Sequence, residues 1–525
     1  MTIRPVPMWG LTVLLAALPL SAAAQRGPMP PPPPAAAKPL PVPSERTEVT
    51  HATVTINGQA IRYTATAGTL LLYNDQQKAT ASVFYIAYTK DGVTDPATRP
   101  VTFAYNGGPG GASALVDIGG FGPRRVAWPK VDDYTAYAPP YRLEDNSDSI
   151  LDSTDLVFVD AVGTGYSQIV GVGTSKMFYG ISEDGATFAQ FIERYLKRFH
   201  RWNSPKFILG ESYGTTRNAV LADDLVNQGV YLNGVIMCST ILNFATAEFG
   251  PGNDLPYVLY LPSYAAAAWY HHKLSPRPAS LEALLTDVRR FAAGPYAAAL
   301  FAGANLPAAQ QQSIAGQLQQ FTGIPASLWM RARLRIALNM FRRRLAGPDG
   351  PEIGRYDSRF TGAELEPLLP VPGQDDQEPS SSAVMGAVTV LFERYVSQTL
   401  HFTSDRIYTQ LSYVVNRQWD MQYRAPLSEL SGGGGAPDVA PALARAMNND
   451  PALHVQFNNG FYDMATPFFA TEYTAAHLQV TPAERRHIEF QYYPVGHMLY
   501  VNPDALPLLH KNMDAFIAAA TPQAP

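Results

Sequence analysis

Cysteine is almost absent from this sequence, since Cys238 is the only one among 525 residues. A single cysteine cannot form an intramolecular disulfide, and none is placed to carry a lipid behind an N-terminal signal. Cys238 ends the apolar run Gly234–Cys238, which favours a buried strand residue over a nucleophile. The stability of the chain must therefore come from its apolar core.

An excess of charge of either sign is also missing. The chain has 39 Lys and Arg against 44 Asp and Glu, a net charge of −5. This balance excludes the basic surface of a nucleic-acid-binding protein, so no nucleic-acid partner is expected. Hydrophobic residues make up 46% of the chain, which argues against disorder. The length suits one large domain with an insertion, or two domains.

Long hydrophobic runs are lacking too, apart from a short one near the N-terminus. Arg4, the apolar stretch Trp9–Leu20 and the small residues Ala22–Ala24 are typical of an export signal over residues 1–24. The stretch is short for a helix that spans a bilayer, so we expect the signal to be cleaved and the protein not to be stably inserted in a membrane. We therefore expect a periplasmic or secreted protein. An uncleaved membrane anchor is the alternative. The Pro- and Ala-rich residues 25–46 predict an extended tether.

Short apolar runs that end in turn residues recur along the chain and predict strands. Asn57-Gly58 between the first two predicts a hairpin. The later runs are apolar almost throughout, as in parallel strands covered on both faces. The predicted strands are Thr53–Ile56, Ile61–Thr66, Ala81–Tyr88, Val101–Tyr105, Leu156–Asp160, Lys206–Leu209, Gly234–Cys238, Leu453–Phe457 and Ile488–Tyr493.

Helical spacing between several of these strands, as in Ser182–Phe199, predicts an α/β fold with a mostly parallel, doubly wound sheet. Roughly residues 245–425 break this alternation and are rich in Ala, Leu and Arg. We interpret them as a helical cap inserted between two parts of one domain, residues 47–244 and 426–525. The helices predicted in the cap are Ser280–Ala293, Ala308–Phe321, Ser327–Leu345 and Ser382–Ser397.

The segment Gly210–Gly214 has the pattern G-x-S-x-G, with Ser212 at its centre. A predicted strand precedes it and a helix-compatible stretch, Thr215–Val226, follows it. A sharp turn in this context pushes a serine side chain out of the sheet. The alternative is a glycine-rich strand–helix turn without chemistry.

A serine hydroxyl needs a base to become a nucleophile, and the chain order for this arrangement is serine, acid, histidine. Asp463 and His497 each follow one of the last two predicted strands. The carboxyl ends of parallel strands are where open α/β sheets place their ligands. The sequence therefore predicts a catalytic triad of Ser212, Asp463 and His497 in an α/β-hydrolase fold.

The loop Asn106–Ser113 follows another predicted strand and is rich in glycine. Such a loop, together with the N–H of Tyr213, can supply the main-chain donors of an oxyanion hole. It lacks the Lys-Ser/Thr pair and the G-x-G-x-x-G spacing of phosphate-binding loops. His271 and His272 are adjacent and would point apart on a helix, and no H-E-x-x-H occurs, so neither a metal nor a cofactor is expected.

Four segments, in order, resemble motifs of the serine carboxypeptidase family. Asn106–Ser113 resembles N-G-G-P-G-C-S-S, and Phe158–Ser167 resembles F-V-D-Q-P-V-G-T-G-F-S with one residue fewer. Gly210–Tyr213 matches G-E-S-Y, and Gly496–Met498 matches G-H-M. The predicted cap has no segment that resembles the family.

The resemblance implies the same triad and adds other roles. The N–H groups of Gly108 and Tyr213 would form the oxyanion hole, and Asn106 and Glu211 would bind the C-terminal carboxylate of a peptide. A protonated Glu211 could donate a hydrogen bond to that carboxylate.

Two positions depart from the family. Gly120 stands where the family has a second carboxylate-binding glutamate, and Gly111 replaces a motif cysteine. The leading hypothesis is a serine carboxypeptidase that acts on peptides with a free C-terminus through an acyl-enzyme. An esterase or acyltransferase with the same triad is the alternative, and a non-catalytic exported binding protein is a third.

Overall fold

The computed structural model describes residues 38–131, 134, 137–347, 350–362, 378–423 and 435–521. The predicted export signal, residues 1–24, and residues 25–37 of the predicted tether lie outside the described residues, as do residues 348–349, 363–377 and 424–425 of the predicted cap. The described residues from Pro39 onward belong to one compact unit.

The described residues contain fourteen strands. They are β1 (Thr47–Ile56), β2 (Gln59–Tyr73), β3 (Ala79–Lys90), β4 (Val101–Tyr105), β5 (Arg124–Val126), β6 (Leu143–Asp145), β7 (Asp155–Val159), β8 (Gln168–Ile169), β9 (Lys206–Glu211), β10 (Gly234–Cys238), β11 (Glu352–Ile353), β12 (Thr361–Gly362), β13 (His454–Gly460) and β14 (Ile488–Tyr493). Every strand predicted from the sequence overlaps one of them.

Ten strands form one sheet in the order β1-β2-β3-β7-β4-β9-β10-β13-β14, with β8 paired to β3. The pairs from β1 to β7 are antiparallel, and those from β7 through β4 to β14 are parallel. Helices lie between the parallel strands along the chain. The α/β fold with a mostly parallel sheet is therefore confirmed.

The predicted hairpin joins β1 and β2 in antiparallel register, with Ile56 opposite Gln59. Asn57 and Gly58 have φ angles of 50° and 75°. Two residues with positive φ form the turn that matches the right-handed twist of the flanking strands.

The α-helices of the described residues are α1 (Ala114–Val116), α2 (Ile181–Arg198), α3 (Tyr213–Asn227), α4 (Leu255–Tyr270), α5 (Leu281–Phe291), α6 (Ala297–Ala302), α7 (Ala308–Thr322), α8 (Ala326–Arg331), α9 (Leu338–Arg344), α10 (Pro379–Arg394), α11 (Tyr413–Gln418), α12 (Ala440–Asn449), α13 (Phe468–Ala476) and α14 (Leu506–Ala520). The predictions that overlap α2, α3, α5, α7 and α10 are confirmed. Within the described part of the chain, no helix has both the length and the apolar character needed to span a bilayer.

The prediction of one helix over Ser327–Leu345 is wrong, because two helices, α8 and α9, share this range. Between them, Arg333 and Leu334 have φ angles of 51° and 65°. The N–H of Leu334 closes the end of α8 by donating to the carbonyl of Trp329 at 2.8 Å. The apolar spacing continues through the break, so the pattern alone did not reveal it.

The central parallel strands β4, β7, β9 and β10 are buried on both faces, which explains their uninterrupted apolar runs. In β9, Phe207 and Leu209 belong to the apolar cluster that includes Phe516 of α14. Ile208 belongs to the opposite cluster, which includes Phe188 of α2. Cys238 is buried at the end of β10 as a free thiol, so its prediction as a buried strand residue is confirmed.

Helices α4–α9 have an apolar cluster of their own, to which Met464, in the loop after β13, also contributes. Helix α10, by contrast, packs Val384, Val388 and Leu391 into the cluster of the main sheet. The limits of the cap, 245 and 425, stay a prediction.

Candidate active site

Ser212 lies in the turn between β9 and α3, with φ 59° and ψ −127°. A non-glycine residue with this backbone is strained and persists only where its surroundings hold it. The N–H of Ser212 donates to the carbonyl of Cys238 in the neighbouring strand at 3.0 Å. Gly107 packs against the other side, where a Cβ atom would overlap the main-chain nitrogen of Tyr213. The fold therefore fixes the serine in the sharp turn that its sequence pattern predicts.

Asp463 and His497 form a buried pair at the ends of β13 and β14. The Nδ1 atom of His497 lies 2.8 Å from Oδ2 of Asp463. Because a carboxylate accepts hydrogen bonds and does not donate them, Nδ1 of His497 carries the proton of this bond. The Nε2 atom is then unprotonated in the neutral imidazole and can act as a base. Burial lowers the pKa of His497, but the charge and hydrogen bond of Asp463, together with the charge of Glu211 when that carboxyl group is ionised, outweigh burial and raise it.

Thr466 holds this pair in place and was not singled out from the sequence. Its hydroxyl donates to Oδ2 of Asp463 at 2.7 Å and lies 3.1 Å from Nδ1 of His497. The N–H groups of Ala465 and Thr466 donate to Oδ1 of Asp463 at 2.7 and 3.0 Å. Asp463 therefore accepts at both oxygens, as an ionised carboxylate does.

No hydrogen bond joins the side chains of Ser212 and His497 in the described structure. The Nε2 atom of His497 lies 3.5 Å from Oε1 of Glu211, the residue before Ser212. Catalytic hydrogen bonds are often long before substrate binds and tighten in the complex.

Asn106 and Glu211, the implied carboxylate-binding residues, are bonded to each other. Asn106 Nδ2 donates to Oε2 of Glu211 at 2.9 Å, and Asn106 Oδ1 accepts from the N–H of Val116. Burial raises the pKa of Glu211, while the charge of His497 and the bond from Asn106 act in the opposite direction. Glu211 is thus a buried carboxyl group whose protonated form is favoured by its surroundings.

Tyr500 fills the space next to Gly120. A Cβ atom at Gly120 would overlap the Cβ atom of Tyr500. The Tyr500 hydroxyl accepts a hydrogen bond from Asn106 Nδ2 at 3.1 Å, and its ring packs 5.0 Å from Phe121. A side chain at position 120 therefore has no room, and a tyrosine hydroxyl is the third polar group beside Asn106 and Glu211. In the sequence, the only indication that Tyr500 lies near this site is its position three residues after His497.

The implied oxyanion-hole residues lie at the same cavity as Ser212. This cavity of about 620 Å³ is lined by Gly108, Ser212 and Tyr213. Tyr213 is the first residue of α3, so its N–H has no acceptor within the helix. Gly108 has a φ angle of 113°, which only glycine adopts readily.

The predicted cap supplies other walls of this cavity, which the motifs did not identify. Arg355, Tyr356 and Ser381 line one side, and Leu411 and Arg417 line another. The carbonyl of Tyr356 accepts from the N–H of His497 at 2.6 Å. The ring of Tyr356 lies 5.3 Å from the imidazole.

Asp152, His510 and Asp514 have ligand atoms close enough together for a metal ion. The Nε2 atom of His510 lies 3.1 Å from Asp152 and 3.0 Å from Asp514. Burial lowers the pKa of His510, but the hydrogen bonds to both carboxylates outweigh it and raise the pKa to about 10. These three residues are therefore explained as an ion cluster, a protonated histidine between two carboxylates. The cluster lies away from the cavity of Ser212.

Comparisons with known proteins bear on the family and on the fold. A family model described as serine carboxypeptidase matches residues 63–254. The comparison with curated proteins gives no match.

Solved structures give matches of low identity. The prohormone-processing carboxypeptidase Kex1Δp from Saccharomyces cerevisiae is 15% identical, with 87% of this chain and 92% of that chain covered and a TM-score of 0.54. A proline iminopeptidase from Mycobacterium smegmatis is 14% identical, with 87% and 98% covered and a TM-score of 0.35. At these sequence identities, similarity to a solved structure shows the fold alone. We base the fold comparison on the yeast carboxypeptidase, whose TM-score is 0.54. The chain has an α/β-hydrolase fold, and its residues 63–254 carry the serine carboxypeptidase pattern that the motifs predicted.

Proposed function

We propose that the protein is a serine-type carboxypeptidase that hydrolyses the C-terminal peptide bond of peptides. One observation carries the proposal: the buried His497–Asp463 pair, with Nδ1 and Oδ2 2.8 Å apart, contacts Glu211, the residue that precedes Ser212 in its strained turn. The family pattern over residues 63–254 supports the same activity.

In the proposed reaction, Ser212 Oγ attacks the carbonyl carbon of the last peptide bond. His497 Nε2 exchanges its contact with Glu211 for one with Ser212 and takes the hydroxyl proton, while Asp463 stabilises the imidazolium. The N–H groups of Gly108 and Tyr213 stabilise the oxyanion. The proton then passes to the leaving amine, and water hydrolyses the acyl-enzyme.

Asn106 and Glu211 would bind the carboxylate of the departing amino acid. A protonated Glu211 donates one hydrogen bond, and Asn106 Nδ2 donates another in place of one of its two present bonds, to Glu211 and to Tyr500. Because burial raises the pKa of Glu211, the protonated form persists above the ordinary pH range of a glutamate.

A fluorophosphonate probe tests the nucleophile. We expect it to label the wild-type protein and the Ser381→Ala variant, whose mutated side chain lies at the same cavity, but not the Ser212→Ala variant. Absence of labelling in the wild type would favour the non-catalytic binding protein. Labelling that persists in Ser212→Ala would assign the nucleophile to another residue.

An esterase or acyltransferase is the second candidate, and Gly120 with Tyr500 is the observation that favours it. These residues replace a carboxylate-binding glutamate of the family with a neutral hydroxyl. N-blocked dipeptides with a free C-terminus and their C-terminal amides distinguish the two. A carboxypeptidase prefers the free acid, whereas equal rates, or hydrolysis of simple esters alone, would favour the second candidate.

We also propose that residues 245–425 are a cap that shapes the specificity of this cavity, because Arg355, Tyr356 and Arg417 line it. Residues 1–24 are proposed to direct export of the protein to the periplasm or the medium.

A further inference from the structure

A second cavity, the arginine pocket, lies at the edge of the sheet. It has a volume of about 480 Å³ between β1, β2, the β5–β6 hairpin and α10. This volume falls in the range of small-molecule sites. The pocket shares no described lining residue with the cavity of Ser212, so hydrolysis does not account for it.

The charged side chains of the arginine pocket are cations. Arg124, Arg142 and Arg394 line it, and no aspartate or glutamate is among its described lining residues. Arg124 is paired with Asp145 at 2.5 Å. Across the described part of the chain, neither Arg142 nor Arg394 has a carboxylate within 4.0 Å, although Arg394 bonds the amide of Gln398. The pocket therefore carries an excess of positive charge.

The rest of the wall is apolar or aromatic. Leu143, Leu391 and Leu400 line it together with the rings of Tyr63 and Tyr395, both of which are buried. Burial raises the pKa of Tyr63 to about 12, although the charge of Arg124 acts in the opposite direction. The side chain of Tyr63 is therefore neutral at ordinary pH, as a tyrosine usually is, and adds no negative charge to the pocket.

We propose that the arginine pocket binds a small organic anion, with a phosphate or carboxylate group joined to a compact aromatic or aliphatic portion. Guanidinium groups bind the oxygens of such anions in a bidentate manner. The apolar portion would contact the leucine and tyrosine side chains. Because the site is separate from Ser212, its occupancy does not depend on the proposed hydrolysis.

Calorimetric titration of the full-length protein with phenylphosphonate tests this proposal, with benzoate and inorganic phosphate as further ligands. We expect saturable binding of phenylphosphonate that weakens with added salt. The double variant Arg142→Ala/Arg394→Ala should bind about tenfold or more weakly, because it loses charge-assisted hydrogen bonds. The double variant Arg331→Ala/Arg344→Ala, which removes the same charge from exposed positions outside the pocket, should bind as the wild type does.

Comparison of the ligands separates the parts of the proposal. Tighter binding of phenylphosphonate than of benzoate, or the reverse, identifies the preferred anionic group and supports the assignment. If inorganic phosphate binds as tightly as phenylphosphonate, the proposed contact between the apolar portion of the ligand and the leucine and tyrosine side chains is overturned. Absence of saturable binding, or equal affinity in the Arg142→Ala/Arg394→Ala variant, would overturn the site. Retained labelling of Ser212 by a fluorophosphonate in the same samples would show that such a failure leaves the proposed hydrolysis intact.

Discussion

Thr466 joins both members of the acid–histidine pair with one hydroxyl group. That hydroxyl donates to Asp463 Oδ2 at 2.7 Å and touches His497 Nδ1. A bond to a charged group contributes about 1.5–3 kcal/mol, and its loss leaves a buried carboxylate less well satisfied. Thr466 therefore acts as a positioning residue for the proposed base rather than as a reacting group.

The substitution Thr466→Val removes this hydroxyl and keeps the shape of the side chain. We expect kcat on an N-blocked dipeptide to fall about tenfold or more, with a smaller change in KM, because a bond to a charged group is lost. Thr466→Ser keeps the hydroxyl and should retain most of the activity. Steady-state kinetics on the three proteins measures this, and equal kcat values for Thr466→Val and the wild type would contradict the role.

At the scale of elements, the turn that contains Gly120 packs closely against the segment that follows His497, and this leaves no room for a side chain at position 120. Gly120 lies in the π-helical turn Asp117–Phe121, and the space in front of it is filled by Tyr500. The family glutamate therefore cannot be restored here by a single substitution. The polar group in this corner of the site is supplied instead by another element of the chain.

The substitution Gly120→Ala should destabilise the protein by about 1–3 kcal/mol, the usual cost of overpacking a filled core. Gly316→Ala in α7 is the matched control, because nothing lies within 4 Å of its added Cβ atom. Alanine is also favoured over glycine within a helix. Urea unfolding monitored by circular dichroism compares the two variants, and equal stabilities would contradict the packing described for Tyr500.

Element limits were predictable where local rules decide them and not where distant contacts do. The hairpin at Asn57-Gly58 follows from turn chemistry, and β10 was predicted residue for residue over Gly234–Cys238. The break between α8 and α9 does not follow from periodicity. Trp329 in α8 and Leu334 in the turn are both buried, and the Leu334 carbonyl accepts a hydrogen bond from the hydroxyl of Tyr296. Tertiary packing outweighs helix propensity there.

At the scale of the whole molecule, the ion cluster of His510 fastens the last helix to the sheet. His510 and Asp514 lie on α14, whereas Asp152 lies in the turn before β7. Asn57 at the first hairpin also donates to Asp152, at 3.1 Å. The cluster thus joins the first hairpin, the turn before β7 and helix α14, which are far apart along the chain.

This cluster makes stability depend on pH. The pKa of His510 is raised to about 10 in the folded state, from an ordinary value of 6.5. Between these values the folded protein binds the extra proton, so its free energy of unfolding falls as pH rises. The contribution is complete below the ordinary value and is lost as pH passes through about 10.

We expect the wild type to lose more stability than His510→Gln between about pH 6 and about pH 9, because only the wild type has this proton to release. Urea unfolding at the two pH values measures the difference. His477→Gln, which alters an exposed histidine outside the cluster, should follow the wild type. Parallel losses in the wild type and His510→Gln would contradict the assigned cluster.

The sequence by itself determined the parts of this protein that depend on neighbours along the chain. Strand runs, the turn around Ser212 and the order of Ser212, Asp463 and His497 are local patterns, and parallel strands bring their carboxyl ends to one edge of the sheet. Only the tertiary structure decided that Thr466 braces the acid, that Tyr500 occupies the space beside Gly120 and that three arginines meet in a second pocket. Those contacts join segments that are far apart in the chain. Which side chain fills the space between two such segments depends on how they pack, and a local sequence pattern does not contain that information.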